Sequence, residues 1–210
     1  MTLIATPPSP SLAHSAIPVL ETERLFLRSP RLEDVPAIAA LATKSGLPPM
    51  TPDLPPSCSA DEARAFVDAL EARADGVTFG VHLKQDGAPV FAGLGSFRTS
   101  PGSPAPEIGY WIAQPFWGRG IATEAVRAVI DYVFSETDSG CVLGAARVVN
   151  PASRRVLEKC AFQWCGVGLC RVRALSASVP VDRFQLERRT WASLRAWGST
   201  ALPHRRTRSH

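Results

Sequence analysis

The turn Gly118-Arg119-Gly120 holds the residues of this chain whose types and spacing say most about chemistry. It follows a run that reads as a strand, Glu107 to Ala113, and precedes one that reads as a helix, about Gly120 to Ser135. Two glycines one residue apart let backbone N–H groups crowd together with no Cβ between them. At a helix start those N–H groups lack intrahelical partners, and the positive end of the helix dipole adds to them. That combination is an anion site suited to a pyrophosphate, and Arg119 can add charge. No Lys-Ser/Thr follows, so the turn is not a P-loop, and its spacing is not GxGxxG. A tight turn with no ligand would use the same glycines, so the flanking residues must decide. Little else looks reactive. Cys58, Cys141, Cys160, Cys165 and Cys170 show no paired spacing for zinc or redox work, and reduced thiols are expected. His82 reads as a structural strand residue, and His14, His204 and His210 fall near the ends. No His/Cys/Asp/Glu cluster suggests a metal.

The elements that must carry this turn fit one domain. The chain has 210 residues, 45% hydrophobic and 20% charged, an ordinary globular composition. No uncharged apolar run approaches the roughly 18 residues of a membrane span. The first residues lack Lys and Arg and are broken by Pro7, Pro8, Pro10 and Pro18, which argues against a secretory signal. A cytoplasmic protein with no membrane partner is expected. Residues 1–19 read as a disordered Pro/Ser-rich tail, residues 20–197 as the domain, and residues 198–210 as a basic disordered tail. The formal charge of +4 belongs to the C-terminal end. Arg188, Arg189, Arg195, Arg205, Arg206 and Arg208 lie beyond Glu187 with no acid among them, and residues 1–187 carry −2. A nucleic-acid partner is therefore not expected.

Within the domain, Arg24 to Arg28 alternates as a strand, and a helix begins near Asp34 and Pro36. Ser59-Ala60-Asp61-Glu62 is a capping box, followed by Ala63, Phe66, Val67 and Leu70 on one helix face. Val77–Lys84 and Pro89–Arg98 read as a hairpin around Gln85-Asp86-Gly87. Then come the strand from Glu107, the helix after the glycine turn, a strand Cys141–Val149, and a short helix Ala152–Cys160. Two strands, about Gln163–Val172 and Val181–Arg189, finish the sheet. Glu124 and Asp131 on the long helix read as solvated. The order is that of a mixed α/β domain.

Three segments together carry a family resemblance. Trp117-Gly118-Arg119-Gly120-Ile121-Ala122 resembles the acetyl-CoA-binding motif of the GNAT superfamily of N-acetyltransferases, with Trp117 where Arg or Gln is usual. The continuation Thr123-Glu124-Ala125 resembles the branch containing ribosomal-protein N-terminal alanine acetyltransferases. Leu20 to Arg28 resembles that branch's opening strand. Val149-Asn150-Pro151-Ala152-Ser153 through Lys159-Cys160-Ala161-Phe162 resembles its Asn-x-x-Ser and Lys-x-Gly-Phe stretch, with Ala161 where Gly is usual.

The resemblance implies a central, mostly antiparallel mixed sheet flanked by helices, in which two splayed parallel strands hold acetyl-CoA. It implies pantetheine contacts at Trp111, Ile112 and Ala113, and pyrophosphate contacts from Trp117 and Gly118 through Arg119, Gly120, Ile121 and Ala122 to Thr123. Asn150 would orient the cofactor amide. The acceptor would be a primary amine, on a protein N-terminus or a small molecule, attacking the thioester directly. Glu107 is the candidate base, acting through a water. Ser153 is the candidate group near the sulfur, though a serine there also reads as a helix cap. The Tyr that many relatives carry seven residues after the Asn is Leu157 here. The alternatives are an acetyltransferase for an antibiotic, polyamine or amino acid, and a catalytically weak acyl-CoA-binding or sensory module. Such families commonly dimerise, so a homodimer is a further expectation.

Overall fold

The computed structural model describes residues 17–44, 59–71, 73–103, 105–172 and 177–200. The expected N-terminal tail lies mostly outside them, as do the Pro-rich connection Gly46–Pro56 and the last ten residues.

Eight strands form one sheet. They are β1 (Leu20–Glu21), β2 (Leu25–Arg28), β3 (Gly76–Leu83), β4 (Val90–Arg98), β5 (Glu107–Ile112), β6 (Cys141–Arg147), β7 (Gln163–Val172) and β8 (Ala177–Glu187). Their order is β1-β2-β3-β4-β5-β6-β8-β7. Every pairing is antiparallel except β5 with β6, which run parallel. Among the described residues the α-helices are α1 (Val35–Lys44), α2 (Ala60–Glu71), α3 (Ile121–Glu136), α4 (Pro151–Lys159) and α5 (Arg188–Thr200).

Local chemistry explains the helix starts. Ser59 and Glu62 exchange side-chain-to-backbone bonds, Glu62 N–H to Ser59 Oγ at 3.2 Å and Ser59 N–H to Glu62 Oε2 at 2.8 Å. This is the expected capping box. Asn150 caps α4 by accepting the Ser153 N–H, with Pro151 at the first helical position, where a missing N–H costs nothing.

The sheet's two faces are covered differently. Alternation sends Ile108 and Ile112 of β5 to one face, where Val126, Val129 and Val133 of α3 and Leu157 of α4 meet Phe79, Phe97 and Phe184. It sends Trp111 and Ala113 to the other, against Val35 and Ile38 of α1 and Ala63 and Val67 of α2. Burying each large apolar side chain contributes about 1.5–3 kcal/mol, so these two layers fix how β5 lies between α1/α2 and α3/α4.

The sequence reading is corrected in four places. A short strand, β1, precedes the expected first one. The last strand begins at Ala177 and gives way to a helix, α5, that was not expected. The boundary placed at residue 198 therefore falls inside α5. Glu124 and Asp131 are not merely solvated: Glu124 is tied to Thr22 and Arg24, and Asp131 accepts the Trp191 indole N–H at 2.6 Å. Arg188, counted above in the charge of the C-terminal end, closes the C-terminus of α3. Its guanidinium donates to the carbonyls of Phe134 (2.7 Å), Ser139 (2.8 Å) and Thr137. Cations are favoured at that end of a helix.

Candidate active site

The parallel pair is where the sheet opens. β5 and β6 register only through Glu107 with Leu143 and Ile108 with Gly144. Beyond these, Gly109–Ile112 and Ala145–Arg147 diverge, leaving a V-shaped gap through the sheet. Hydrogen bonding on β5 decides which backbone groups face that gap. Ala113 gives its N–H to Ala92 at 2.8 Å and takes one from Phe116 at 3.0 Å. Bonding direction alternates along an antiparallel strand. The amides of Tyr110 and Ile112 therefore point away from β4, into the gap. Of the three expected pantetheine contacts, Ile112 presents backbone to the gap. Trp111 and Ala113 present theirs to β4, and both side chains are buried against α1 and α2.

The glycine turn closes one end. Gly118 and Gly120 have φ of +74° and +78°, a conformation that costs an L-residue about 1–2 kcal/mol. Gly120 is the N-cap of α3 and supplies no side-chain acceptor. The amides of Ile121, Ala122 and Thr123 are thus left without helical partners. Trp117 reaches back and donates its indole N–H to the Ile112 carbonyl at 2.6 Å. Arg119 is exposed, with its guanidinium 6.0 Å from the Phe116 ring.

Sequence reasoning missed what braces this turn. Arg24 of the β1–β2 turn donates to the Arg119 carbonyl at 2.9 Å and to Glu124 at 2.7 Å. Thr22 donates to Glu124 at 2.6 Å. Partial burial raises the Glu124 carboxyl, but the Thr22 and Arg24 bonds outweigh it and hold the group below its ordinary value. Glu124 is 100 residues from Arg24, so only folding brings them together.

The α3/α4 face of the gap holds a second unforeseen contact. Tyr110 Oη lies 2.7 Å from Ser153 Oγ and 2.9 Å from the Ser153 carbonyl, to which it can donate. Ser153 is not the cap of α4; Asn150 is, receiving the Ser153 N–H at 3.1 Å. The Ser153 hydroxyl is left for Tyr110 and for whatever enters the gap. Burial pushes the Tyr110 phenol above its ordinary value, so it stays protonated at neutral pH. Glu107 starts β5 and is exposed. It lies on the face of Trp111, opposite Tyr110 and Ser153. The gap therefore has a hydroxyl pair on one face and a carboxylate on the other.

A mixed sheet parted at one parallel pair, with an amide-lined turn at the opening, defines a class of acyl-CoA-dependent transferase. The comparisons place the chain within it. The family of the acetyltransferase (GNAT) domain matches residues 24–163, and the chain belongs to that family as an N-acetyltransferase. A putative ribosomal N-acetyltransferase, YdaF of Bacillus subtilis, is 48% identical over 56 residues, 27% of this chain and 31% of that protein. The chain thus matches less than a third of that relative's length. Among solved structures, RimL, a ribosomal-protein alpha-N acetyltransferase in complex with coenzyme A, has a TM-score of 0.67 at 22% identity, covering 82% of this chain and 99% of that one. A spermidine N-acetyltransferase from Vibrio cholerae, in complex with CoA and spermine, gives 0.67 at 19%, covering 81% and 99%. These two likenesses establish the fold. Among the described residues, no helix is long and apolar enough to cross a membrane.

Proposed function

We propose that the protein transfers the acetyl group of acetyl-CoA to a primary amine, on a protein N-terminus or a small molecule, by direct attack on the thioester. The observation that carries this reading is the parting of β5 from β6 after two registered pairs, with unpaired amides at one end and hydroxyl and carboxylate groups on opposite faces.

The residues present fit the co-substrate. The amides from Ile121 to Thr123 suit a pyrophosphate, with Arg119 at the edge. The Ile112 amide faces the gap and suits the carbonyl oxygen of the thioester. A cavity of about 1010 Å³ lies between β1 and α3 and reaches Gly120; Arg127 and Lys159 line it, and so do Glu21, Glu124 and Asp131.

Glu107 takes the amine proton through a water on the α1/α2 face. The amine nitrogen then forms its bond to the thioester carbon, and the Ile112 N–H stabilises the oxyanion. When the C–S bond breaks, the sulfur takes up a proton. The Tyr110 proton can rest on the Ser153 carbonyl or on Ser153 Oγ. In the second arrangement the Ser153 proton is free to move to the sulfur, and the proton that the attacking nitrogen must still lose returns to Ser153, so Tyr110 keeps its own. A thiolate is a good leaving group, so this donor need not be strong. We place the reaction in the cytoplasm, in line with the free thiols of Cys141, Cys160, Cys165 and Cys170.

The test is thiol release from acetyl-CoA across a panel of amines and N-terminal peptides. Turnover on at least one amine is expected. Tight acetyl-CoA binding with no turnover on any would favour a sensory module instead.

A further inference from the structure

We infer that Arg147 reads an anionic group, a carboxylate or phosphate, on the amine acceptor. The inference rests on the acetyltransferase reading above and names the acceptor class for that same gap. Arg147 is the last residue of β6, on the arm that diverges from β5. Its Nε and Nη1 are buried and have no hydrogen-bond partner. No ion pair to Arg147 occurs among the described residues. Arg147 as a whole is half-buried, but its guanidinium cannot shed its charge, and buried N–H groups left without a partner are costly. Nearly all buried polar groups in native proteins are partnered. A guanidinium edge with unpartnered Nε and Nη1 at the mouth of a binding gap therefore points to a partner that arrives with the ligand.

Strand pairing says which ligand. Glu107 registers with Leu143 across the parallel pair, and residues opposite each other share a face. Leu143, Ala145 and Arg147 therefore lie on the face of Glu107 and Trp111. Tyr110, Ser153 and α4 lie on the other, toward which the glycine turn and α3 also pack. The anion that Arg147 awaits is thus on the side of the base, where the amine enters. The cofactor's own phosphates are already provided for by the turn at the far arm. Four residues at about 3.3 Å each set Arg147 roughly 13 Å along the strand direction from Glu107. That span suits an acceptor whose amine and anion are separated by several bonds, such as a peptide N-terminus followed by an acidic side chain. A cation here also works against a polycationic acceptor.

The test compares matched acceptors on the full chain: short peptides differing only in Glu versus Gln at the second or third position, a phosphoserine peptide, and spermidine. A charge-assisted bond of this kind is expected to favour the anionic peptide by about 10- to 100-fold in kcat/KM. Arg147→Gln should abolish that preference through KM, with acetyl-CoA affinity unchanged. A preference for the phosphoserine peptide over the Glu peptide would support the anion and identify phosphate as its source. Because the wild-type preference is itself a readout, a poorly folding variant does not remove the test. Arg147→Met provides a second variant, which should melt no lower than wild type because it removes buried N–H groups that have no partner. Equal rates on the Glu and Gln peptides would overturn the inference, as would spermidine as the best acceptor, or a loss of acetyl-CoA affinity in Arg147→Gln. Failure to turn over any amine would instead count against the acetyltransferase reading.

Discussion

The two arms of the gap are built in contrasting ways. Past the Glu107 and Tyr110 side chains, the β5 arm does its proposed work with backbone: the Ile112 amide, two glycines at positive φ, and the first-turn amides of α3. The β6 arm does it with side chains: Asn150, Ser153 and Arg147, the first two placed by α4. A backbone site tolerates varied neighbours but not a change at the glycines. A side-chain site depends on contacts from distant parts of the chain, such as the Tyr110 hydroxyl 43 residues from Ser153. In the proposed function the backbone arm, Asn150 and Ser153 meet the co-substrate, and Arg147 meets the acceptor, which is what distinguishes one enzyme from the next.

Substitutions on each arm sharpen this contrast. The largest effect is expected from Gly120→Val. Its φ of +78° disfavours a β-branched residue, and an added Cβ would stand 3.4 Å from Arg24 Nη2, which braces the turn. We expect acetyl-CoA affinity to fall by about 100-fold, roughly 2.7 kcal/mol, read by calorimetry. Unchanged affinity would remove the glycine turn from the binding site. On the other arm, Ser153→Ala should lower kcat about tenfold while leaving acetyl-CoA affinity within a factor of about two, since one catalytic hydroxyl is lost but no backbone donor. If kcat is unaffected, Ser153 only anchors Tyr110.

A smaller effect tests whether the backbone arm needs its brace. Arg24→Ala removes the bond to the Arg119 carbonyl and the pair with Glu124. Acetyl-CoA affinity should weaken about three- to tenfold, in keeping with one or two partly exposed charge-assisted bonds. Full affinity in Arg24→Ala would show that the turn holds its shape alone. The smallest effect is on stability. Ala161, between α4 and β7, has φ of +65°. Ala161→Gly should stabilise the fold by about 1 kcal/mol, raising Tm by roughly 2–4 °C, with activity unchanged. An unchanged Tm would mean that the left-handed turn carries no strain.

The same division explains what could be read before folding. The glycine turn was legible because its residues are consecutive and their conformation is set locally. The strands and helices around it were legible from alternation, the Ser59–Glu62 box and the turn at Gly87. The helix α5 was not: its Leu194 and Trp197 are exposed. It is held mainly by Arg188 on the α3 carbonyls and by Trp191 on Asp131, contacts with no local pattern. Glu124 looked like a surface acid for the same reason, since Arg24 and Thr22 are about a hundred residues away.

The sequence by itself determined the class of domain, the family and the glycine turn. Each depends on short-range sterics and on hydrogen-bonding groups that neighbouring residues leave unpaired. Only the tertiary structure decided that Asn150 rather than Ser153 caps α4, that Tyr110 meets Ser153, and that Arg147 holds its Nε and Nη1 buried without a partner. Burial and pairing depend on what the rest of the chain brings to a position. A residue's identity and spacing do not contain that information.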